Sequence, residues 1–237
     1  MSLKKDNISN TAYLGDAATK YDSQRFVSPQ GLMFDKIEKT CFSELIKLTK
    51  SKQNVLEVGC GTGRFTKHFS SKFDNLIASD ASPDMLELAK KNCVGLKNVS
   101  FQLIQVDNIS AADNTYDIVY GIRLLNQLAD KNTAQKAVKE MIRVAKNGGY
   151  VLVEFVNFDR LLKRSNKGVQ LKESEIIRWA EEENSYYISA RGACLFSESL
   201  LKKIPSIILK IYAYIDKLFS RMLRKKTARI YILFKKQ

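Results

Sequence analysis

The stretch Val55-Leu56-Glu57-Val58-Gly59-Cys60-Gly61-Thr62-Gly63-Arg64-Phe65 decides the fold of this chain. A short apolar run comes first, glycines follow at alternate positions, and Arg64 to Lys72 then carries apolar residues at helical spacing. A strand that turns through glycines into a helix brings backbone close to a ligand and aims free helix N–H groups at it. The spacing excludes two phosphate-binding designs. A dinucleotide fingerprint needs a glycine three residues after Gly61, where Arg64 stands, and a P-loop needs a Gly-Lys-Ser/Thr that does not follow.

Working outward, Asn54 to Val58, Asn75 to Asp80, Val99 to Val106, Tyr116 to Gly121 and Tyr150 to Val156 predict five strands. Between them, Arg64 to Lys72, Pro83 to Asn92 and Thr133 to Lys146 predict helices, the last stopped by Gly148-Gly149. Such alternation calls for a parallel sheet with helices on both faces and a ligand at the carboxyl ends of the strands. Upstream, Phe34, Ile37, Cys41, Phe42, Leu45 and Ile46 make Gly31 to Lys50 a packing helix over the first strand. Downstream, residues 157–185 read as a loop and a helix whose acidic face, Glu181 to Glu183, is solvated. Tyr186 to Arg191 and Arg229 to Lys235 read as two more strands.

Composition narrows the class. The 237 residues hold 39 Lys+Arg against 25 Asp+Glu, a net charge of +14, and the 45% hydrophobic content excludes global disorder. The sequence has no apolar run of the roughly 18 residues that a spanning helix needs, and Met1 to Lys20 lacks the apolar core of a signal peptide. A cytoplasmic chain is expected. Cys41, Cys60, Cys93 and Cys194 are widely separated and His68 is the only histidine, so neither a zinc site nor a disulfide framework has its ligands. A histidine mechanism would rest wholly on His68, which reads better as a helix-surface residue. The charge is concentrated: Leu200 to Gln237 holds eleven Lys+Arg and only Asp216 against them, a net of +10.

Glu57-Val58-Gly59-Cys60-Gly61-Thr62-Gly63 resembles motif I of the class I S-adenosylmethionine-dependent methyltransferases, and the likeness continues in order along the chain. Asp80-Ala81-Ser82-Pro83-Asp84-Met85-Leu86 is similar to the family's D-x-S-P-x-M-L. Asp107-Asn108-Ile109 sits where the family meets the adenine amine, and Asp117 to Gly121 and Gly148 to Leu152 resemble the fourth and fifth strand motifs. The resemblance covers residues 20–156. It implies an α/β, Rossmann-like, doubly wound sheet of seven mostly parallel strands, with S-adenosylmethionine as cofactor and no metal. It further implies a helical cap over residues 1–50 and a cofactor domain over 51–237, with 157–228 as a substrate-side insertion.

The implied cofactor residues are Glu57, Gly59, Cys60, Gly61, Gly63, Asp80, Ala81, Met85, Asp107, Asn108 and Ile109. Asp80 suits ribose hydroxyls, Glu57 an ammonium and Asp107 the adenine amine, while Met85 and Ile109 offer apolar faces to the ring. The plainer alternative for any one carboxylate is a turn or cap residue. Lys20 to Phe26 is similar to the Y-D-x-x-R-F segment that closes over the cofactor, making Tyr21 and Arg25 contact candidates, with capping or surface pairing as the alternative. Beyond the fourth strand, Arg123, Asn126 and Gln127 are substrate candidates, as are Glu154 and Asn157 at the next strand end. Gln127 stands where many relatives carry a histidine, so no catalytic base is assigned.

Ile204, Ile208, Ile211, Ile215, Leu218 and Met222 follow one helical face, with Lys203, Lys210, Lys217, Arg221 and Arg224 across from it. This helix, spanning 204–226, suits packing on the sheet with a solvated basic face, peripheral contact with an anionic membrane, or nucleic-acid phosphate. Nucleic acid is the less favoured partner, because no aromatic-plus-basic recognition motif or tetrad for a flipped base is present. The expected reaction is methyl transfer to a small or amphipathic, lipid-like acceptor. The rivals are an RNA methyltransferase and a non-enzymatic, membrane-associated binding protein on the same fold.

Overall fold

The structure, a computed structural model, describes residues 26–161, 168–196 and 205–237. Helix α1 (Pro29–Ile46) starts where the Ser28 hydroxyl accepts the Gly31 N–H at 3.1 Å and Pro29 fills the first turn. Then come β1 (Asn54–Val58), α2 (Arg64–Phe69), β2 (Asn75–Asp80), α3 (Pro83–Asn92), β3 (Val99–Leu103) and β4 (Tyr116–Gly121). The chain continues with α4 (Lys131–Val144), β5 (Ala145–Val156), α5 (Glu173–Glu181), β6 (Ser185–Ala193), α6 (Ser206–Met222) and β7 (Arg229–Lys236).

The strands form one seven-stranded sheet in the order β3-β2-β1-β4-β5-β7-β6. The first five are parallel, and β7 enters antiparallel between β5 and β6. The expected α/β, mostly parallel, seven-stranded fold is therefore present. Winding reverses between β1 and β4, the point where open sheets of this kind leave a crevice.

Period-two alternation distributes the apolar side chains between the two faces. Leu56, Val58, Val119, Val151 and Val153 join the core under α4 and α5, with Met141 and Trp179. Val55, Ile118, Tyr120, Leu152 and Leu233 face α1, α2 and α6, where Phe42, Leu45, Phe65 and Phe69 pack. Glu57 alternates onto this second face, in register with Tyr120.

Three boundaries depart from the sequence expectation. Strand β3 stops at Leu103, and Gln105 bridges back to Asn108 in a turn that carries Asp107. Helix α4 ends at Val144, because Ala145 is already extended and pairs with Tyr116. The glycine pair lies inside β5, where the register with β4 shifts; Gly148 has φ +77°, and a Cβ on Gly149 would lie 2.8 Å from the Lys146 carbonyl oxygen. What reads as a helix stop is a strand irregularity.

A further departure is the buried face of α6. It packs on the core, but through Leu209, Tyr212, Asp216 and Ser220, while Ile208, Ile211, Ile215, Leu218 and Met222 are exposed. Asp216 causes this: its carboxylate accepts the Leu195 N–H at 2.7 Å, the Cys194 N–H at 3.3 Å and the Tyr212 hydroxyl at 3.0 Å. A polar anchor takes the inner face that hydropathy assigns to isoleucines. Lys203 and Ile204 lie outside the described residues.

Candidate functional site

A cleft open to solvent lies at the carboxyl ends of β1, β2 and β4 and beside the turn after β3. Eight of the cofactor residues named from sequence line it: Glu57, Gly59, Cys60, Gly61, Asp80, Ala81, Met85 and Asp107. Gly63, Asn108 and Ile109 do not. Gly63 caps α2 from behind with φ +81°, and a Cβ there would sit 2.9 Å from the Cys93 sulfur and 3.2 Å from the Ala89 backbone. Asn108 is exposed in the turn, and Ile109 is buried in the core under α4, its N–H donated to Glu140 at 2.8 Å. The apolar wall beside Asp107 is made instead by Ile104 and Val106.

The glycine loop is held by the carboxylate it faces. Asp80 Oδ2 accepts the Gly61 N–H at 2.8 Å and Oδ1 the Ser82 N–H at 2.9 Å. Burial raises the Asp80 pKa, and these backbone donors oppose it. Gly61 needs its φ of +56° to make the turn, and a Cβ there would meet nothing within 4 Å, so its missing side chain opens directly onto the cleft. Ser82 then caps α3, its hydroxyl accepting from Met85 N at 3.3 Å.

Glu57 is buried, and the Thr66 hydroxyl donates to its Oε2 at 2.5 Å. Burial pushes the Glu57 carboxyl up to about 7. Neither Glu57 nor Asp80 has a lysine or arginine partner among the described residues. An unpaired carboxylate is costly to desolvate, so two on one cleft wall make a surface suited to cations and hydroxyl donors.

The facing wall is a charge network. Glu38, buried within the apolar stripe of α1, accepts from Arg123 Nε at 2.7 Å and pairs with Arg64 at 3.0 Å. Burial alone would raise Glu38, but the guanidiniums of Arg123, Arg64 and Arg229 outweigh it and hold the carboxyl at about 2. Arg123 has φ +57°, and Glu154 fixes that conformation by accepting the Arg123 N–H at 2.6 Å while also pairing with Arg229. Phe26 closes the cleft on this side, with Arg64 4.1 Å and Arg123 5.4 Å from its ring centroid.

Of the substrate candidates, Arg123 and Gln127 line the cleft. Asn126 does not; its Oδ1 is buried with no partner among the described residues, and its carbonyl accepts from Val169 N at 3.3 Å. Glu154 is wholly buried under Arg123. The Asn157 amide donates to the Lys225 and Thr227 carbonyls at 2.9 Å, stapling the entry to β7. Tyr21 and Arg25 lie outside the described residues. His68 is beside Phe69 on α2 and does not line the cleft.

Sequence reasoning missed Glu38 and gave Arg64 no place in the site, and it named Phe26 only as the end of the segment expected to close over the cofactor. Glu38 had a legible signal, since it interrupts the Phe34-to-Phe42 stripe at helical spacing. Arg64 served in the sequence only to exclude a dinucleotide fingerprint, since its partner Glu38 lies 26 residues away.

The donor set fits S-adenosylmethionine: carboxylates for hydroxyls and an ammonium, an open glycine turn, and an apolar slot between Ile104, Val106 and Leu128. Comparison with known proteins agrees. Residues 55–149 match the family described as a methyltransferase domain. An uncharacterized protein of Methanocaldococcus jannaschii is 28% identical over 89% of this chain and 93% of its own length. Ajmaline N-methyltransferase of Rauvolfia serpentina is 29% identical over 60% of the chain, which spans about half (49%) of that relative. Magnesium protoporphyrin IX methyltransferase of Synechocystis PCC 6803, solved with bound SAH, superposes with a TM-score of 0.67 over 95% of this chain and 97% of that one; at 10% identity the likeness is one of fold. Residues 55–149 thus resemble a methyltransferase domain, on a fold shared with solved S-adenosylmethionine-dependent methyltransferases.

Proposed function

We propose that this chain transfers a methyl group from S-adenosylmethionine to a small or amphipathic acceptor bound in the cleft. The observation that carries this reading is the pair of carboxylates, buried Glu57 and half-buried Asp80, facing open space without a cationic partner among the described residues. Asp80 would take the ribose hydroxyls, Glu57 the ammonium, and Asp107 the adenine amine, with Ile104 and Val106 against the ring. The cofactor supplies an activated methyl group on a sulfonium. The protein contributes orientation of the acceptor in line with that methyl, an effect of proximity rather than of acid–base chemistry.

The acceptor side supports the same view. Arg123, Leu124, Gln127, Leu128 and Thr133 line the cleft after β4, and none of these side chains takes up a proton at neutral pH. An acceptor whose nucleophile is available without a protein base, such as an amine, suits this wall best. The N-methyltransferase among the similar proteins is in keeping with that choice.

Calorimetric titration with S-adenosylmethionine and S-adenosylhomocysteine tests the cofactor half. Binding is expected, and the absence of binding by the folded chain, or unchanged binding by Asp80→Ala, overturns it. Incubation with labelled cofactor and fractionated metabolites, lipids and RNA identifies the acceptor; label in RNA alone would favour the RNA methyltransferase reading.

A further inference from the structure

Helix α6 turns an apolar face to solvent that the cleft does not use. Ile207 is 82% exposed, Ile211 61% and Met222 76%, and Tyr214, Leu218 and Phe219 lie exposed on the same side. At about 100° per residue these positions fill one continuous face of the helix. The helix cannot roll to hide them. Its opposite face is fixed by Leu209 and Tyr212 in the core and by the buried Asp216 carboxylate, which holds the Cys194 and Leu195 N–H groups.

The exposed charges that α6 itself carries beside that face, among the described side chains, are basic. Lys217 and Arg221 run along one edge, and exposed Lys225 and Lys226 follow its end. Asp216, the only acid of the helix, points inward, and Glu44 of α1 answers Arg221. An exposed aliphatic face of this extent on a folded chain marks a docking surface.

We propose that α6 is an interfacial anchor that lies in the surface of an anionic lipid bilayer. The aliphatic side chains enter the acyl boundary, and Lys217, Lys225 and Lys226 meet the anionic headgroups. Charge complementarity selects this occupant. Nucleic-acid phosphate would engage the basic edge and leave the aliphatic face wet, and antiparallel pairing of two copies through this face would bring two basic edges together. No helix among the described residues is long and apolar enough to cross a membrane, so α6 lies on the bilayer rather than through it.

Flotation of the full chain with phosphatidylcholine–phosphatidylglycerol vesicles tests the proposal, with pure phosphatidylcholine vesicles as reference. Binding to the anionic vesicles, weakening with salt, is expected; the double variant Ile211→Glu/Leu218→Glu should lose about tenfold or more of it. Both positions are exposed, so circular dichroism should show an unchanged fold. Four outcomes overturn the proposal: no binding to anionic vesicles, equal binding by the double variant, a dimer that the double variant dissolves without vesicle binding, or salt-sensitive RNA binding without vesicle binding. Flotation reads the surface and calorimetry reads the cleft, so failure of either leaves the other standing.

Discussion

The cleft and α6 break the ordinary rule of burial in opposite directions. Around the cleft, Glu57 and Glu38 are taken out of water and Asp80 partly so, whereas along α6 the isoleucines and Leu218 are put into it. A buried carboxylate and an exposed aliphatic row both cost free energy in the isolated chain. They differ in how the chain offsets that cost. Glu38 is paired with Arg64 and Arg123, with Arg229 nearby, while Glu57, Asp80 and the α6 face have no such answer among the described residues. The contrast separates charge that builds the fold from groups that await something else, and it can be broken by experiment.

The largest effect belongs to Glu38. Glu38→Ala leaves Arg123 and Arg64 without their shared carboxylate and should cost about 3–5 kcal/mol in urea unfolding at neutral pH. Its folded pKa, about 2, lies below its ordinary 4.5, so its contribution is whole above pH 4.5 and is lost as pH falls towards 2. The wild type should lose roughly 3 kcal/mol through this window, and Glu38→Gln should flatten that slope.

Asp80 comes next, and its effect should fall on binding. Asp80→Ala removes charge-assisted hydrogen bonds and should weaken S-adenosylhomocysteine on the order of a hundredfold by calorimetry. Loss of stability with unchanged affinity would place Asp80 with Glu38, as a residue that only ties the loop to β2.

Gly63 and Gly61 sharpen the contrast within four residues. Gly63→Ala meets the Cys93 sulfur and the Ala89 backbone at positive φ and should cost about 2 kcal/mol in thermal unfolding, whether or not ligand is present. Gly61→Ala has space and pays only for its φ of +56°, about 1 kcal/mol, but its methyl projects into the cleft and should reduce cofactor affinity.

Glu57 is read through pH rather than through truncation. Held at about 7 by burial, it is mostly neutral at pH 6 and ionised at pH 8, so affinity for an ammonium-bearing ligand should rise about tenfold between them. Its raised pKa acts on stability with the opposite sign to Glu38: the folded chain binds the proton more tightly, and stability falls as pH climbs from 4.5 to 7. Glu57→Gln should flatten both curves.

Much of this was legible from residues alone. Alternation in Asn54 to Val58 and its successors located five strands to within a residue or two, because one-dimensional periodicity is what a two-faced sheet demands. The fifth in chain order was read only from Tyr150, although it starts at Ala145. The third strand was drawn too long, since Ile104 and Val106 continue its apolar pattern while serving as cleft wall. Glu38 was passed over because its partners, Arg64 and Arg123, are 26 and 85 residues away.

By itself the sequence determined the parallel α/β core, the glycine turn and the order of carboxylates after successive strands, because each is a local pattern of spacing and turn chemistry. Tertiary structure alone decided which groups share a wall, that Ile109 turns into the core while Val106 faces the cleft, and which face of α6 is buried. Those outcomes depend on long-range partners. The Asp216 carboxylate, bound to backbone N–H groups 21 and 22 residues earlier, outweighed a run of isoleucines, and no helical wheel contains that bond.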